Sequence, residues 1–107
     1  MKKIKFKHSC VKEILEGRKL GTWRLFDDKD LRVDDELELV DAETEETFAR
    51  AKIAMLHEKK IKDLTEEEFK NHGYRNMSEM IVGHIKYYGN RVNPDTDVKI
   101  IEFMLLH

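Results

Sequence analysis

The chain has 107 residues, 40% of them hydrophobic and 39% charged, enough for one core and too few for two conventional domains. Its uncharged apolar stretches are short, as in Ile53-Ala54-Met55-Leu56, and charges interrupt Met1 to Lys7 where a signal peptide needs an apolar run, so no export or membrane segment is expected. The single cysteine, Cys10, has no partner for an internal disulfide, and the expected location is cytoplasmic.

The formal net charge of −2 argues against a strongly electrostatic nucleic-acid binder, yet the charge is unevenly placed. Residues 1–24 hold eight Lys or Arg against Glu13 and Glu16, whereas Asp34 to Glu46 hold eight acidic residues and no basic one. The basic end is a candidate anion site. The plain alternative makes both stretches solvated faces of a charge-rich protein.

Lys2 to Lys7 alternates basic and apolar residues, with Ile4 and Phe6 on one face, and predicts a first strand. Ser9 is expected to cap a short helix whose apolar positions are Val11, Ile14 and Leu15, and Gly17 to end it. Lys19 to Phe26 reads as a second strand, followed by a polar connection over Asp27-Asp28-Lys29-Asp30. Glu36 to Val40 alternates again and should pair antiparallel, through an Asp41 to Glu46 turn, with Thr47 to Leu56, where Ala49, Ala51, Ile53 and Met55 share a face.

Thr65 and Glu68 form a capping box that opens a helix stopping at Gly73. The longest helix starts at Asn76 or Ser78, presents Met77, Met80, Ile81, His84, Ile85 and Tyr88 on one face, and ends at Gly89. Val98 to Leu106, apolar on both faces apart from Lys99 and Glu102, predicts a central buried strand. The resulting order predicts one α+β domain over residues 1–107: a small, mostly antiparallel barrel, closed or partly closed, with helices over its openings.

The common catalytic patterns are missing: there is no phosphate-binding glycine loop, no paired cysteines and no His-Glu-x-x-His. His8, His57, His72, His84 and His107 show no ligand spacing, so neither a metal nor a cofactor is expected, and His84 reads as a hydrogen-bonded boundary histidine. The segment Gly17 to Arg24 differs, because it places a lysine, a threonine and an arginine at a helix-to-strand corner. Thr22 and Arg24 are two apart and share one strand face, while Lys19 joins them only if the chain bends, as Gly21 permits. The plain alternative makes Lys19 and Arg24 surface residues and Thr22 an ordinary strand residue.

These residues resemble the ASCH domains of the PUA-like superfamily, in which a short helix ends in Gly-x-Lys and Thr-x-Arg follows on the next strand, as Gly17, Lys19, Thr22 and Arg24 do here. Val33-Asp34-Asp35-Glu36-Leu37, Asp63-Leu64-Thr65-Glu66-Glu67 and Ile100-Ile101-Glu102-Phe103 continue the resemblance in order over nearly the whole chain. It implies a PUA-like barrel with a basic cleft in which Lys19, Thr22 and Arg24 bind RNA or a nucleotide-like small molecule. Arg24 suits two-pronged binding of phosphate or carboxylate, and Lys19 offers a mobile point charge. Trp23, Tyr74, Tyr87 or Tyr88 could stack a base, with Trp23 better suited to the core.

Some small ASCH proteins look like amidohydrolases that deacetylate N4-acetylcytidine. Carried over, the resemblance makes Thr22 the nucleophile and Lys19 its general base. The family's glutamate position falls near His72, in Asn71-His72-Gly73, where no acid stands and His72 would have to carry the proton. That departure favours binding over hydrolysis. A third reading, an adaptor using the acidic Asp34 to Glu46 hairpin, rests on the charge run alone. Neither a membrane nor a DNA-specific partner is signalled.

Overall fold

The computed structural model describes residues 1–26 and 29–106. Asp27 and Asp28 of the expected polar connection, and His107, lie outside the described residues. The strands are β1 (Lys2–Phe6), β2 (Gly21–Leu25), β3 (Glu36–Asp41), β4 (Thr47–Lys60) and β5 (Asp97–Leu106). The helices are α1 (His8–Leu15), α2 (Glu66–Asn71) and α3 (Met77–Tyr88), with single 3-10 turns at Ile61–Asp63 and Gly89–Arg91. The strands hydrogen-bond in the order β1-β3-β4-β5-β2. β3 pairs antiparallel with β4, as the alternating patterns require, whereas β1 pairs parallel with β3, Ile4 opposite Leu39. The α1–β2 crossover between β1 and β3 permits that parallel pairing.

The chain forms two compact units: Met1–Trp23, Asp28–His57 and Ile100–His107 make the first, Arg24–Asp27 and Glu58–Lys99 the second. In the first, apolar positions of β1, β3, β4 and β5 meet in one cluster: Ile4 and Phe6, Leu37 and Leu39, Ala51 and Ile53, and Ile101 and Phe103, with Ile14 and Leu31. The Phe6 ring meets Phe48 edge-on at 6.5 Å and Phe103 at 6.1 Å. A bulge between Leu39 and Val40 shifts the β3–β4 register, so that Leu39 faces Ala49 and Val40 faces Thr47.

Two expectations change here. Ser9 does not cap α1; the N-cap is Lys7, without a side-chain cap, and Ser9 lies inside the first turn. β5 is interior in the sheet as expected, with Val98, Ile101 and Phe103 buried, but its second face is not covered to the end: Met104 is 55% exposed. Met55 of β4 is likewise exposed, so the face of Ala49, Ala51, Ile53 and Met55 is fully buried only in its middle. Gly17, at φ +76°, ends α1 in a Schellman arrangement, its amide donating to Ile14 O at 3.0 Å and that of Arg18 to Glu13 O at 2.9 Å.

In the second unit the capping box at α2 is complete: the Thr65 hydroxyl accepts from the Glu68 amide at 3.1 Å, and the Glu68 carboxylate accepts from the Thr65 amide at 3.0 Å. Asn76 caps α3 through the Glu79 amide at 2.9 Å, and Gly89, at φ +78°, ends it. The expected face of α3 is the covered one, with Met80 fully buried and Val82 and Tyr87 exposed. Among the described residues no helix is long and apolar enough to cross a membrane.

Candidate functional site

Lys19 and Thr22 belong to the first unit and Arg24 to the second. Lys19 precedes β2, half-buried, its amide donating to Glu13 O at 3.2 Å. The following turn is anchored to β5 by the Phe103 amide, which donates to Leu20 O at 2.9 Å. Gly21 opens β2 without a left-handed backbone, and a Cβ there would stand 3.4 Å from Ile101 O and 3.8 Å from the Glu102 side chain, ordinary contact. Thr22 is only 7% exposed. Its place on β2, two residues before Arg24, is the alternation expected of a strand. Trp23 is buried too, as core packing requires.

Arg24 lines a cavity of about 320 Å³ together with Phe26, Glu58, Asp95, Thr96, Asp97 and Lys99. Three neighbouring strands build it: Arg24 comes from β2, Glu58 from β4, and Asp97 and Lys99 from one face of β5, two residues apart. The turn before β5 supplies the rest. There Asn93 Oδ1 accepts from the Asp95 amide at 2.8 Å, and Thr96 Oγ1 accepts from the Asn93 amide at 3.0 Å. The backbone of this turn is clamped by Ile61 and Lys62, whose amides donate at 2.9 Å to Thr96 O and Pro94 O.

Among the described residues the cavity lining is of mixed charge rather than basic: two cations, Arg24 and Lys99, stand with three carboxylates. One of these is offset, because the Lys62 ammonium lies 2.9 Å from Asp95. That hydrogen bond holds the Asp95 carboxyl below the usual carboxylate range and the Lys62 amine above its own. No ion pair or side-chain hydrogen bond among the described residues reaches Glu58 or Asp97. Such carboxylates accept hydrogen bonds only, so they complement a ligand edge that donates.

Beside the cavity runs a set of rings. Phe26 meets Tyr88 edge-on at 5.6 Å, Tyr88 stacks on His84 at 6.1 Å and 7°, and His84 lies 5.7 Å from Tyr74. His84 Nδ1 is 2.9 Å from Met80 O, so it is the hydrogen-bonded boundary histidine its helical position suggests. Burial, then the Glu79 charge, raises the Tyr74 phenol above its ordinary value and keeps it neutral. His72 is the half-buried C-cap of α2, its amide donating to Phe69 O at 3.1 Å. Glu68, four residues before His72, is taken up by its cap and by Lys59 at 2.9 Å. Burial opposes its ionisation, but the Thr65 amide and the Lys59 ammonium outweigh that and lower its pKa. Glu79 is held by Arg75 at 2.9 Å.

Sequence reasoning found Arg24 but not Phe26, Glu58, Asp97 or Lys99. None lies in a local motif; what could have pointed to them is the alternation that puts Asp97 and Lys99 on one strand face. Among the described residues no group of three His, Cys, Asp or Glu side chains is placed to hold a metal ion.

Among the described residues the architecture is mixed α+β, a five-stranded sheet with three helices. It is the ASCH-domain fold. An ASCH domain from Lactobacillus crispatus JV V101 matches with a TM-score of 0.66 at 12% identity, over 91% of this chain and 70% of that one. ASCH from Zymomonas mobilis matches at 0.63 and 8%, over 95% of this chain and 65% of that one. The hypothetical protein PH0355 matches at 0.69 and 18%, over 99% of this chain and all of its own length. No family model and no curated protein matches the chain.

Proposed function

We propose that this ASCH-fold chain binds a nucleotide-like small molecule in the cavity lined by Arg24. The supporting observation is the cavity's paired chemistry: the planar fork of Arg24 beside the acceptor-only carboxylates of Glu58 and Asp97. A nucleotide offers both complements, an anionic phosphate and a base edge with N–H donors. Its volume falls at the small end of the ordinary range for small-molecule sites. An extended RNA strand is disfavoured, because successive phosphates would approach three carboxylates. Of the three residues that the ASCH resemblance implies as ligand-binding, Lys19, Thr22 and Arg24, the proposal rests on Arg24, which lines the cavity.

Calorimetric titration with the four ribonucleoside 5′-monophosphates and with a single-stranded RNA tests this reading. Saturable binding of at least one monophosphate, lost in Arg24→Ala, is expected. Unchanged affinity in Arg24→Ala, or binding of RNA alone, overturns it.

A further inference from the structure

Phe26 has three properties that core packing does not account for. It is 43% exposed, it lines the cavity, and its backbone sits at φ +54°. A bulky side chain rarely adopts that left-handed conformation, where glycine or asparagine is the ordinary occupant. The surroundings nevertheless fix the ring in place. The Arg91 guanidinium carbon lies 4.0 Å from the centre of the ring, and Arg91 Nε donates to Tyr88 O at 3.3 Å. Tyr88 meets the ring edge-on and is itself stacked on His84. Neither Arg91 nor Tyr88 lines the cavity, so Phe26 meets it with surface that these two leave uncovered. Strained residues persist only where their surroundings over-determine them, which is the situation of Phe26.

We infer that Phe26 is the stacking platform for the planar base of the ligand, held rigid by Arg91 and by the Tyr88–His84 stack. This deepens the proposed function and rests on it. Arg24 would take the anionic group, and Glu58 and Asp97 would accept from N–H groups on the edge of the base. A cation on one face of an aromatic ring is itself attractive and leaves the rest of the ring for a base. The platform thereby selects for a flat ring: a ribose phosphate without a base keeps the Arg24 contact and loses the stacking.

The test follows ring-proton shifts of the best-binding ribonucleoside monophosphate by NMR, alongside affinities for wild type, Phe26→Leu, Phe26→Tyr and Arg24→Ala. Upfield shifts of the base protons on the wild-type protein are expected, since a ring current acts on protons above an aromatic face. Phe26→Leu should weaken binding roughly tenfold or more, from the known size of base–aromatic stacking, while Phe26→Tyr keeps it. Ribose 5-phosphate should bind wild type and Phe26→Leu equally. If Arg24→Ala weakens nucleotide binding but Phe26→Leu does not, and the base protons do not move, the platform is wrong and the cavity stands. If no monophosphate binds the wild type, both are wrong. The shift measurement needs no variant, so a poorly folding Phe26→Leu does not protect the inference.

Discussion

His8 Nδ1 lies 2.6 Å from the buried carboxylate of Asp41, tying the first residue of α1 to the last residue of β3. The same carboxylate accepts from the Glu43 and Thr44 amides at 2.9 and 3.4 Å, so it organises the β3–β4 turn as well. This long-range tie fixes the start of α1 where a local Ser9 cap was expected.

The pair makes stability depend on pH in both directions. The hydrogen bond from Asp41 raises the His8 pKa, and the one to His8 lowers the Asp41 pKa. The His8 contribution is full below the ordinary histidine pKa and is lost as pH rises through the raised folded value. That of Asp41 is full above the ordinary carboxylate pKa and is lost as pH falls through the depressed one. Both are complete between roughly pH 4 and 6.5. Urea denaturation across pH should show His8→Ala least stable relative to wild type in that window, the difference shrinking at alkaline pH. A constant difference at all pH values would show the pair to be a packing contact only.

Two glycines in one short segment should respond oppositely to alanine. Gly17→Ala forces a side chain onto φ +76° with nothing nearby to clash, so its cost is purely conformational, about 1 kcal/mol or more. Gly21→Ala meets only ordinary contacts without a positive φ and should be neutral or slightly stabilising. Thermal unfolding of the two variants decides; a loss at Gly21 equal to that at Gly17 would mean that β2 needs the glycine at its entry.

Thr65→Ala removes the hydroxyl half of the capping box and should cost about 1 kcal/mol. For a chain of this size that is a fall in Tm of roughly 4 °C. Thr65→Ser should restore most of it. Loss without rescue by serine would point to the methyl group rather than the cap.

Incubation with N4-acetylcytidine should release no cytidine. Thr22 is buried, and the position expected to hold an acid carries His72, a half-buried helix cap. Cytidine appearing in a chromatographic time course, and vanishing with Thr22→Val, would establish the hydrolase instead.

The periodic and capped segments were legible in the sequence because their causes are local. Ile4 and Phe6 alternate, Thr65 and Glu68 stand three apart, and Gly17 and Gly89 follow their helices, each within reach of its own neighbours along the chain. The same locality allowed Arg24 to be singled out beside Thr22. Phe26, Glu58, Asp97 and Lys99 were not legible, since a cavity wall is defined by which strands lie side by side, and the order β1-β3-β4-β5-β2 is not the chain order.

The sequence by itself determined the elements, the caps at Gly17, Thr65 and Gly89, most of the apolar faces and the placing of Lys19, Thr22 and Arg24 around the start of β2. Only the tertiary structure decided that β1 runs parallel to β3, that His8 rather than Ser9 secures α1, and that the cavity at Arg24 is of mixed charge. Local hydrogen bonds and side-chain period are written in neighbouring residues, whereas strand pairing and the charge of a cavity arise from residues brought together by a shared core.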